Sequence, residues 1–124
     1  MKIERFEDIE AWKAARNLAG AVYELTRKPV LSRDFGLRDQ MRRSAVSVMA
    51  NIAEGFDSRS TQEFLRFLGY AYRSTSELQS HLYVVLDQGY LDDDVFDVLY
   101  LQASTVQRLL NGFIRYLKEP RNHE

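Results

Sequence analysis

Arginines at helical spacing are the residues of this sequence whose type and pattern best suit chemistry, and that chemistry is the binding of phosphate groups. One row lies near the start of a predicted helix, and a second recurs at seven-residue intervals along the next helix. Two such rows on adjacent helices can form one positive surface for nucleic acid. The candidate RNA-contact residues are Arg38, Arg42, Arg43, Arg66 and Arg73.

The same arginines also fit a solvated, salt-bridged surface. Glu63 precedes Arg66 by three residues, and Glu77 follows Arg73 by four. Opposite charges at these spacings attract each other on one helix face. Aromatic residues among the arginines, such as Phe67, are suited to stacking on bases but are equally common in a core or an interface. The sequence therefore leaves both interpretations open.

No constellation typical of an active site or a metal centre occurs in the sequence. There is no cysteine, and the histidines are His81 within a predicted helix and His123 in the polar tail. Neither belongs to an HExxH motif or to a pair of Glu-x-x-His motifs, and no glycine-rich loop could hold a phosphate. We therefore expect no enzymatic activity, no cofactor, no metal and no small-molecule substrate.

Asp92, Asp93 and Asp94 form an acidic cluster where the last helix is predicted to begin. Aspartate caps free amide groups at a helix N-terminus, and its charge is favoured by the helix dipole there. A divalent metal site is the alternative, but carboxylates on adjacent residues at a helix start point in different directions. Capping is the favoured interpretation.

Asn51 and Glu54 are polar residues near the predicted end of the second helix. A negative charge in the last turn is disfavoured by the helix dipole, so Glu54 needs a compensating partner. In an antiparallel hairpin the region around Ser60, or the side chain of Arg66, can supply one, and Asn51 lies one turn earlier on the same side. A hairpin or interface lock is favoured, with contact to a ligand as the alternative.

The composition limits the class of protein. The chain has 124 residues, 45% hydrophobic and 28% charged, as is typical of one globular domain, which we expect to span residues 1–124. No apolar stretch approaches the roughly 20 residues of a membrane helix, and the N-terminus lacks a signal-peptide pattern. We therefore expect a cytoplasmic protein. A net charge of −1 argues against coating nucleic acid by bulk electrostatics and leaves room only for a local basic patch.

Four long amphipathic segments are expected to position these residues. Apolar residues recur at steps of three and four, which predicts helices at about residues 6–28, 37–55, 60–88 and 92–118. Pro29 ends the first helix, and residues 29–36 are predicted to form a loop. Gly55 is predicted to end the second helix in a left-handed conformation, and Gly89 to end the third. The residues Ser60–Glu63 match a capping box at the start of the third helix. The pattern predicts an all-α, antiparallel up-down-up-down four-helix bundle.

The second helix carries two apolar rows rather than one. The first row is Leu37, Met41, Ala45, Val48 and Ile52, and the second is Val46, Met49, Ala53 and Phe56. So wide an apolar arc indicates coverage on more than one side, by the helix's own bundle and by a second copy of the chain. The candidate structural or interface residues are Met49, Asn51, Glu54, Gly55 and Phe56.

Long parts of the sequence resemble a bacterial protein family. They are FEDIEAWKAARNLAGAVYELT (Phe6–Thr26), FGLRDQMRRSAVSVMANIAEGF (Phe35–Phe56), SRSTQEFLRFLGYAYRSTSEL (Ser58–Leu78) and the turn Gly89–Leu91. They resemble the four-helix-bundle proteins named after open reading frames in intervening sequences of large-subunit (23S) ribosomal RNA genes. The most specific match is RSAVS followed by NIAEG. Met49-Ala50 replaces the usual Pro-Ser, which predicts a straighter second helix, and Tyr72-Arg73-Ser74 stands where a Gly-Ser pair is usual.

The resemblance implies a small cytoplasmic bundle that assembles as a ring, typically a homopentamer, without a known enzymatic activity. A related bundle is an accessory protein of the reverse transcriptase of diversity-generating retroelements and is thought to bind nucleic acid. This kinship supports RNA binding by analogy. The competing expectation is a protein-interaction scaffold or accessory subunit, in which the arginines make salt bridges between subunits and RNA has no role.

Overall fold

The computed structural model describes residues 2–120, so the predicted polar tail with His123 lies outside the described residues. Five α-helices, preceded by a 3-10 turn at Phe6–Asp8, account for most of this part of the chain, and no strand occurs in it. They are α1 (Glu10–Thr26), α2 (Pro29–Arg33), α3 (Phe35–Phe56), α4 (Thr61–Asp87) and α5 (Asp93–Lys118). The all-α prediction is confirmed.

The four long helices form a bundle in which α1 packs on α3, α3 on α4, α4 on α5 and α5 on α1. Neighbouring helices run antiparallel. Ser44 on α3 donates a hydrogen bond to Glu77 on α4, whereas Ser47, further along α3, contacts Ser74, which comes earlier on α4. The predicted up-down-up-down four-helix bundle is therefore confirmed, with α2 as a short addition between α1 and α3.

The core is built from the apolar rows that the periodicity predicts. On α3 the residues Met41, Ala45, Val48 and Ile52 are completely buried. The facing helices contribute further buried side chains, among them Leu18, Val22, Leu68, Leu78, Leu82, Val85, Val106 and Leu110. Each large aliphatic side chain removed from water contributes about 1.5–3 kcal/mol, so this seam accounts for much of the stability of the bundle.

The second apolar row of α3 faces mostly its own bundle. Met49 and Phe56 are half-buried and pack against the core, and Ala53 is also half-buried. Val46 is the large apolar side chain of this row that stays exposed, at 41%. The width of the apolar arc is thus explained largely by contacts within one chain.

The loop predicted for residues 29–36 is wrong, because α2 forms at Pro29–Arg33. Pro29 occupies the first turn, where its fixed φ suits a helix and its missing N–H costs nothing. Leu31 is 1% exposed and anchors this turn to the core. Asp34 then caps α3 by accepting the backbone N–H of Leu37, so α3 begins at Phe35, two residues before the predicted start.

The predicted left-handed end of the second helix at Gly55 is also wrong. Gly55 lies inside α3, and Gly89 is the glycine with positive φ (73°) among the described residues. Gly55 has a packing role instead. A Cβ atom at this position would lie 2.7 Å from Cδ1 of Phe64 and 2.9 Å from Cβ of Phe67, so only glycine lets α4 approach this closely.

The helix starts follow the predicted capping residues with two differences. The Ser60 hydroxyl accepts the N–H of Glu63, as in a capping box, but the Glu63 carboxylate accepts hydrogen bonds from Arg66 rather than from the Ser60 backbone. Asp92 caps α5 by accepting the N–H of Val95. The first helix begins at Glu10 rather than near residue 6, because Ile9 is extended and the 3-10 turn precedes it.

Within residues 2–120, no helix is both long and apolar enough to cross a bilayer.

The turn between α4 and α5 is tied to the corner between α2 and α3. The Tyr90 hydroxyl donates a hydrogen bond to Oδ2 of Asp34 at 3.0 Å, between residues far apart in sequence. This hydrogen bond, together with partial burial, raises the pKa of Tyr90. Asp34 therefore serves both the start of α3 and the end of α4.

Replacing Gly55 with alanine should destabilise the protein by about 1–3 kcal/mol, because the added methyl group clashes with Phe64 and Phe67. Gly20→Ala is the matched control, since nothing lies within 4 Å of a Cβ added at that helical position. It should stabilise by about 0.5–1 kcal/mol through helix propensity alone. Urea unfolding measures both changes, and equal effects of the two substitutions would show that Gly55 has no packing role.

Tyr90→Phe should destabilise the protein near neutral pH and lose this effect at alkaline pH. Because the folded-state pKa is raised, the hydrogen bond stabilises below the unfolded pKa of about 10 and is lost as the pH rises through the folded value. Above that value a tyrosinate faces the Asp34 carboxylate. Unfolding curves of both proteins across this range test the expectation. Tyr72→Phe is the control, and a pH-independent difference for Tyr90→Phe would contradict it.

Candidate nucleic-acid interface

Arg42 is the most firmly positioned of the candidate arginines. Its Nε donates to the Thr26 hydroxyl at 2.8 Å, and its guanidinium carbon lies 4.6 Å from the ring centroid of Tyr23. Thr26 is completely buried and in turn donates to the carbonyl of Val22. The terminal amino groups of Arg42 have no other partner among the described residues. The guanidinium is thus fixed to α1 at one edge and free to bind at the other.

Arg43 is exposed and has no hydrogen bond or ion pair within residues 2–120. It borders a hollow between α1 and α3 that is lined by Tyr23, Asp39, Arg42, Arg43, Val46 and Ser47. The hollow therefore offers two guanidinium groups, one aromatic ring and one carboxylate. The guanidinium groups can bind a phosphate, and the aromatic ring can stack on the base attached to it.

Arg73 lies on the neighbouring helix close to the same level of the bundle. It is exposed, and its guanidinium carbon is 6.0 Å from the ring centroid of Tyr70. The adjacent residue Ser74 has its hydroxyl 2.9 Å from that of Ser47, which is one turn beyond Arg43. We call Arg42, Arg43 and Arg73 the arginine face.

Arg38 is held by its own corner of the fold. Its Nε lies 2.9 Å from the Asp39 carboxylate, and an amino group donates to the backbone carbonyl of Ser32 at 3.1 Å. The guanidinium also lies 4.9 Å from the ring centroid of Phe35. With its side chain only 26% exposed, Arg38 mainly stabilises the junction of α2 and α3.

Arg66 lies at the other end of the bundle and is paired with a carboxylate. One of its amino groups contacts both carboxylate oxygens of Glu63, at 2.7 and 2.9 Å. From the register of α3 against α4, Arg38 and Arg66 are separated by roughly 25 Å along the bundle axis at 1.5 Å per residue. The five candidate arginines therefore do not form one surface, and Arg66 behaves as the salt-bridge interpretation expects.

Asn51 and Glu54 do not form the predicted network with α4. The Asn51 amide donates to the carbonyl and hydroxyl of Ser47, one turn earlier on the same helix. Glu54 is exposed and has no hydrogen bond or ion pair among the described residues. The prediction is wrong for Glu54 because Arg66 has a nearer partner in Glu63, three residues before it on α4.

A polar seam between α3 and α4 replaces that network. Ser44 donates to Glu77 at 2.7 Å, and the hydroxyls of Ser47 and Ser74 lie 2.9 Å apart. Next along α4, the Nε2 atom of His81 is buried without a hydrogen-bond partner in the described part of the chain. The pairing of these serines depends on the register of α3 against α4, which the sequence does not specify.

The α4–α5 side of the molecule is acidic and apolar. Between Ser74 and Gln107 the sequence has six acidic residues and no lysine or arginine. Val98 and Leu101 are 66% and 68% exposed on α5. Tyr83 packs on Phe96 and Tyr100, and the charge of a neighbouring Tyr100 phenolate together with partial burial raises the pKa of Tyr83. Because of its negative charge, this surface is unsuited to binding phosphate.

The opposite side of the same end is basic. Between Arg27 and Arg43 the sequence has six basic and two acidic residues. The net charge of −1 is therefore the sum of a basic and an acidic part of the chain. A polyanion would be attracted to one of them and repelled by the other.

Arg42→Ala should destabilise the protein by about 1–2 kcal/mol, because it removes the hydrogen bond to Thr26 and the contact with the Tyr23 ring. Arg43→Ala is the matched control and should change the free energy of unfolding by no more than about 0.5 kcal/mol, since Arg43 has no partner in the fold. Urea unfolding compares the two. Equal stability of the variants would mean that Arg42 is as free as Arg43.

Comparison with known proteins places the chain in a family. The model of the family described as "23S rRNA-intervening sequence protein" matches residues 7–112. Functionally curated proteins give no match. A crystal structure of a protein of unknown function from the S23 ribosomal protein family of Bacteroides thetaiotaomicron is similar in fold, with a TM-score of 0.77 and 19% sequence identity. The similarity covers 85% of this chain and 98% of that one. The chain therefore belongs to the 23S rRNA-intervening sequence protein family.

Proposed function

We propose that this protein is a non-catalytic, homo-oligomeric bundle of the cytoplasm that binds RNA through its arginine face. The observation that carries the proposal is the segregation of charge. Six basic residues lie between Arg27 and Arg43, from the end of α1 through α2 into the first half of α3, in a chain whose net charge is −1. Phosphate contacts of this local kind position an RNA strand without requiring a basic protein overall.

The geometry of the arginine face supports RNA rather than a simple anion. Arg42 is held against Tyr23 with its terminal amino groups unengaged, so little side-chain freedom is lost when it binds a phosphate. Arg43 and Arg73 have no carboxylate partner among the described residues. Tyr23 and Tyr70 beside them can stack on unpaired bases, which favours single-stranded RNA.

Self-assembly is supported by the apolar side chains that the bundle leaves exposed. Val98, Leu101 and Phe35 are each more than 60% exposed. Large apolar residues that share one end of a small protein are typical of an interaction surface. The homopentameric ring that the sequence resemblance implies is the assembly we propose.

The same observations support a second candidate, a protein-interaction scaffold without a nucleic-acid role. The acidic surface between Ser74 and Gln107 is long enough to receive basic residues of another copy. In that case Arg43 and Arg73 pair with carboxylates across an interface, and they become buried on assembly. The two candidates differ in what a charge reversal of these arginines does to the oligomer.

Reversing the charge of Arg43 and Arg73 together (Arg43→Glu with Arg73→Glu) should abolish RNA binding and leave the oligomer mass unchanged. Fluorescence anisotropy with labelled single-stranded RNA measures the first, and light scattering on a size-exclusion column measures the second. For the wild type, affinity should fall steeply between about 50 and 200 mM salt.

Arg108→Glu with Arg115→Glu is the charge-matched control, because both residues are exposed on α5. This control should retain most of the affinity. Equal loss in both double variants would remove the arginine face as the binding site. A drop in oligomer mass for the Arg43 and Arg73 variant would favour the scaffold instead.

A further inference from the structure

A groove of about 400 Å³ runs between the second half of α1 and the first half of α5. Its floor and wall are apolar, with Ala21, Leu25, Val95 and Val98 among the lining residues. Val98 is 66% exposed, and Leu101, one turn further along α5, is 68% exposed. Exposed apolar side chains along an open groove are typical of a surface that binds another protein.

Charge surrounds the groove on the α5 side. Asp94 lines it, and Asp93 and Asp97 lie within one turn of Asp94. None of the three makes an ion pair within the part of the chain that the structure describes. Glu24 lines the α1 side, and Lys28 lies at the end of the groove next to α2. The matching partner is therefore apolar at its centre and basic at its edge.

The corner around α2 has this composition. Val30 is 52% and Phe35 63% exposed, and Arg33 between them is exposed without an ion-pair partner among the described residues. Arg38 lies against the Phe35 ring, and its own charge is paired with Asp39, so Arg33 is the unpaired charge of this corner. We call Val30, Arg33 and Phe35 the α2 corner.

We propose that the α2 corner of one copy docks into the α1–α5 groove of the next copy. Phe35 and Val30 fill the apolar groove, and Arg33 pairs with the aspartates around Asp94. This inference rests on the homo-oligomer of the proposed function and names its contacting surfaces. The arginine face lies outside the contact and stays open to RNA.

The charges exclude the symmetric alternatives. Groove against groove brings the aspartates of two copies together, and corner against corner brings their two Arg33 side chains together, so both arrangements are repulsive. Corner against groove is therefore a heterologous contact, which uses two different surfaces of each copy. The two surfaces lie on adjacent sides of the bundle because both adjoin α1, so repetition of the contact turns at each copy and can close a ring.

Two variants that each disable one surface test the docking. Phe35→Asp disables the corner, and Val98→Asp, in the lining of the groove, disables the groove. Each variant alone should run as a monomer on size-exclusion chromatography with light scattering. An equimolar mixture should form a dimer and nothing larger, because one intact groove meets one intact corner. Val84→Asp, at an exposed apolar position on α4, is the control and should assemble as the wild type does.

Exposed charges give a second test that does not depend on apolar substitutions. Arg33→Asp alone and Asp94→Arg alone should each weaken assembly by about tenfold or more in dissociation constant. The double substitution should restore most of the loss, because the charges are exchanged across the contact. Circular dichroism checks that every variant keeps the helical content of the wild type.

The outcomes separate this inference from the proposed function. A monomeric wild type would overturn the homo-oligomer and the docking with it. An oligomeric wild type whose mass is unaffected by the groove variant would overturn the docking alone. A mixture of two monomeric variants that stays monomeric would show that the two surfaces do not bind each other.

Discussion

The close packing of α3 on α4 is the constraint on which the rest of the structure depends. Gly55 lets Phe64 and Phe67 approach the α3 backbone at one end. The serine pairs hold the middle of the two helices, and Tyr90 reaches Asp34 at the other end. With contacts spread along the full length, α3 cannot rotate or slide without breaking several of them. The positions of Arg42 against α1 and of the α2 corner follow from this fixed orientation.

The fold was largely predictable because apolar residues recur at steps of three and four along most of the chain. The apolar periodicity of α4 and α5 identifies both the helices and their buried faces, and Ser60 and Asp92 mark where they begin. The errors lie where glycine and proline allow more than one role. Gly55 suits a helix end as well as a close contact, and only the position of Phe64 decides between them. Pro29 ends one helix and begins another, which depends on the burial of Leu31.

The candidate site was predictable in composition but not in arrangement. The five arginines are conspicuous in the sequence, yet their division into free and engaged groups depends on three-dimensional neighbours. Arg42 donates a hydrogen bond to Thr26 on another helix, whereas Arg66 forms an ion pair with Glu63, one turn earlier on its own helix. The second apolar row of α3 shows the same limit. The sequence shows how wide the apolar surface of α3 is, but not which residues the bundle covers. Met49 packs against the core, whereas Val46 stays exposed.

The separation of a basic stretch (Arg27 to Arg43) from an acidic stretch (Ser74 to Gln107) gives this nearly neutral chain an electric dipole. Net charge alone suggests that two copies, or a copy and an RNA strand, approach each other almost without electrostatic influence. A dipole instead rotates each molecule as it approaches, so that encounters begin in a favourable orientation at distances below about 10 Å in physiological salt. Because salt screens such a dipole, we expect its encounters with charged partners to depend on ionic strength even though its total charge is close to zero.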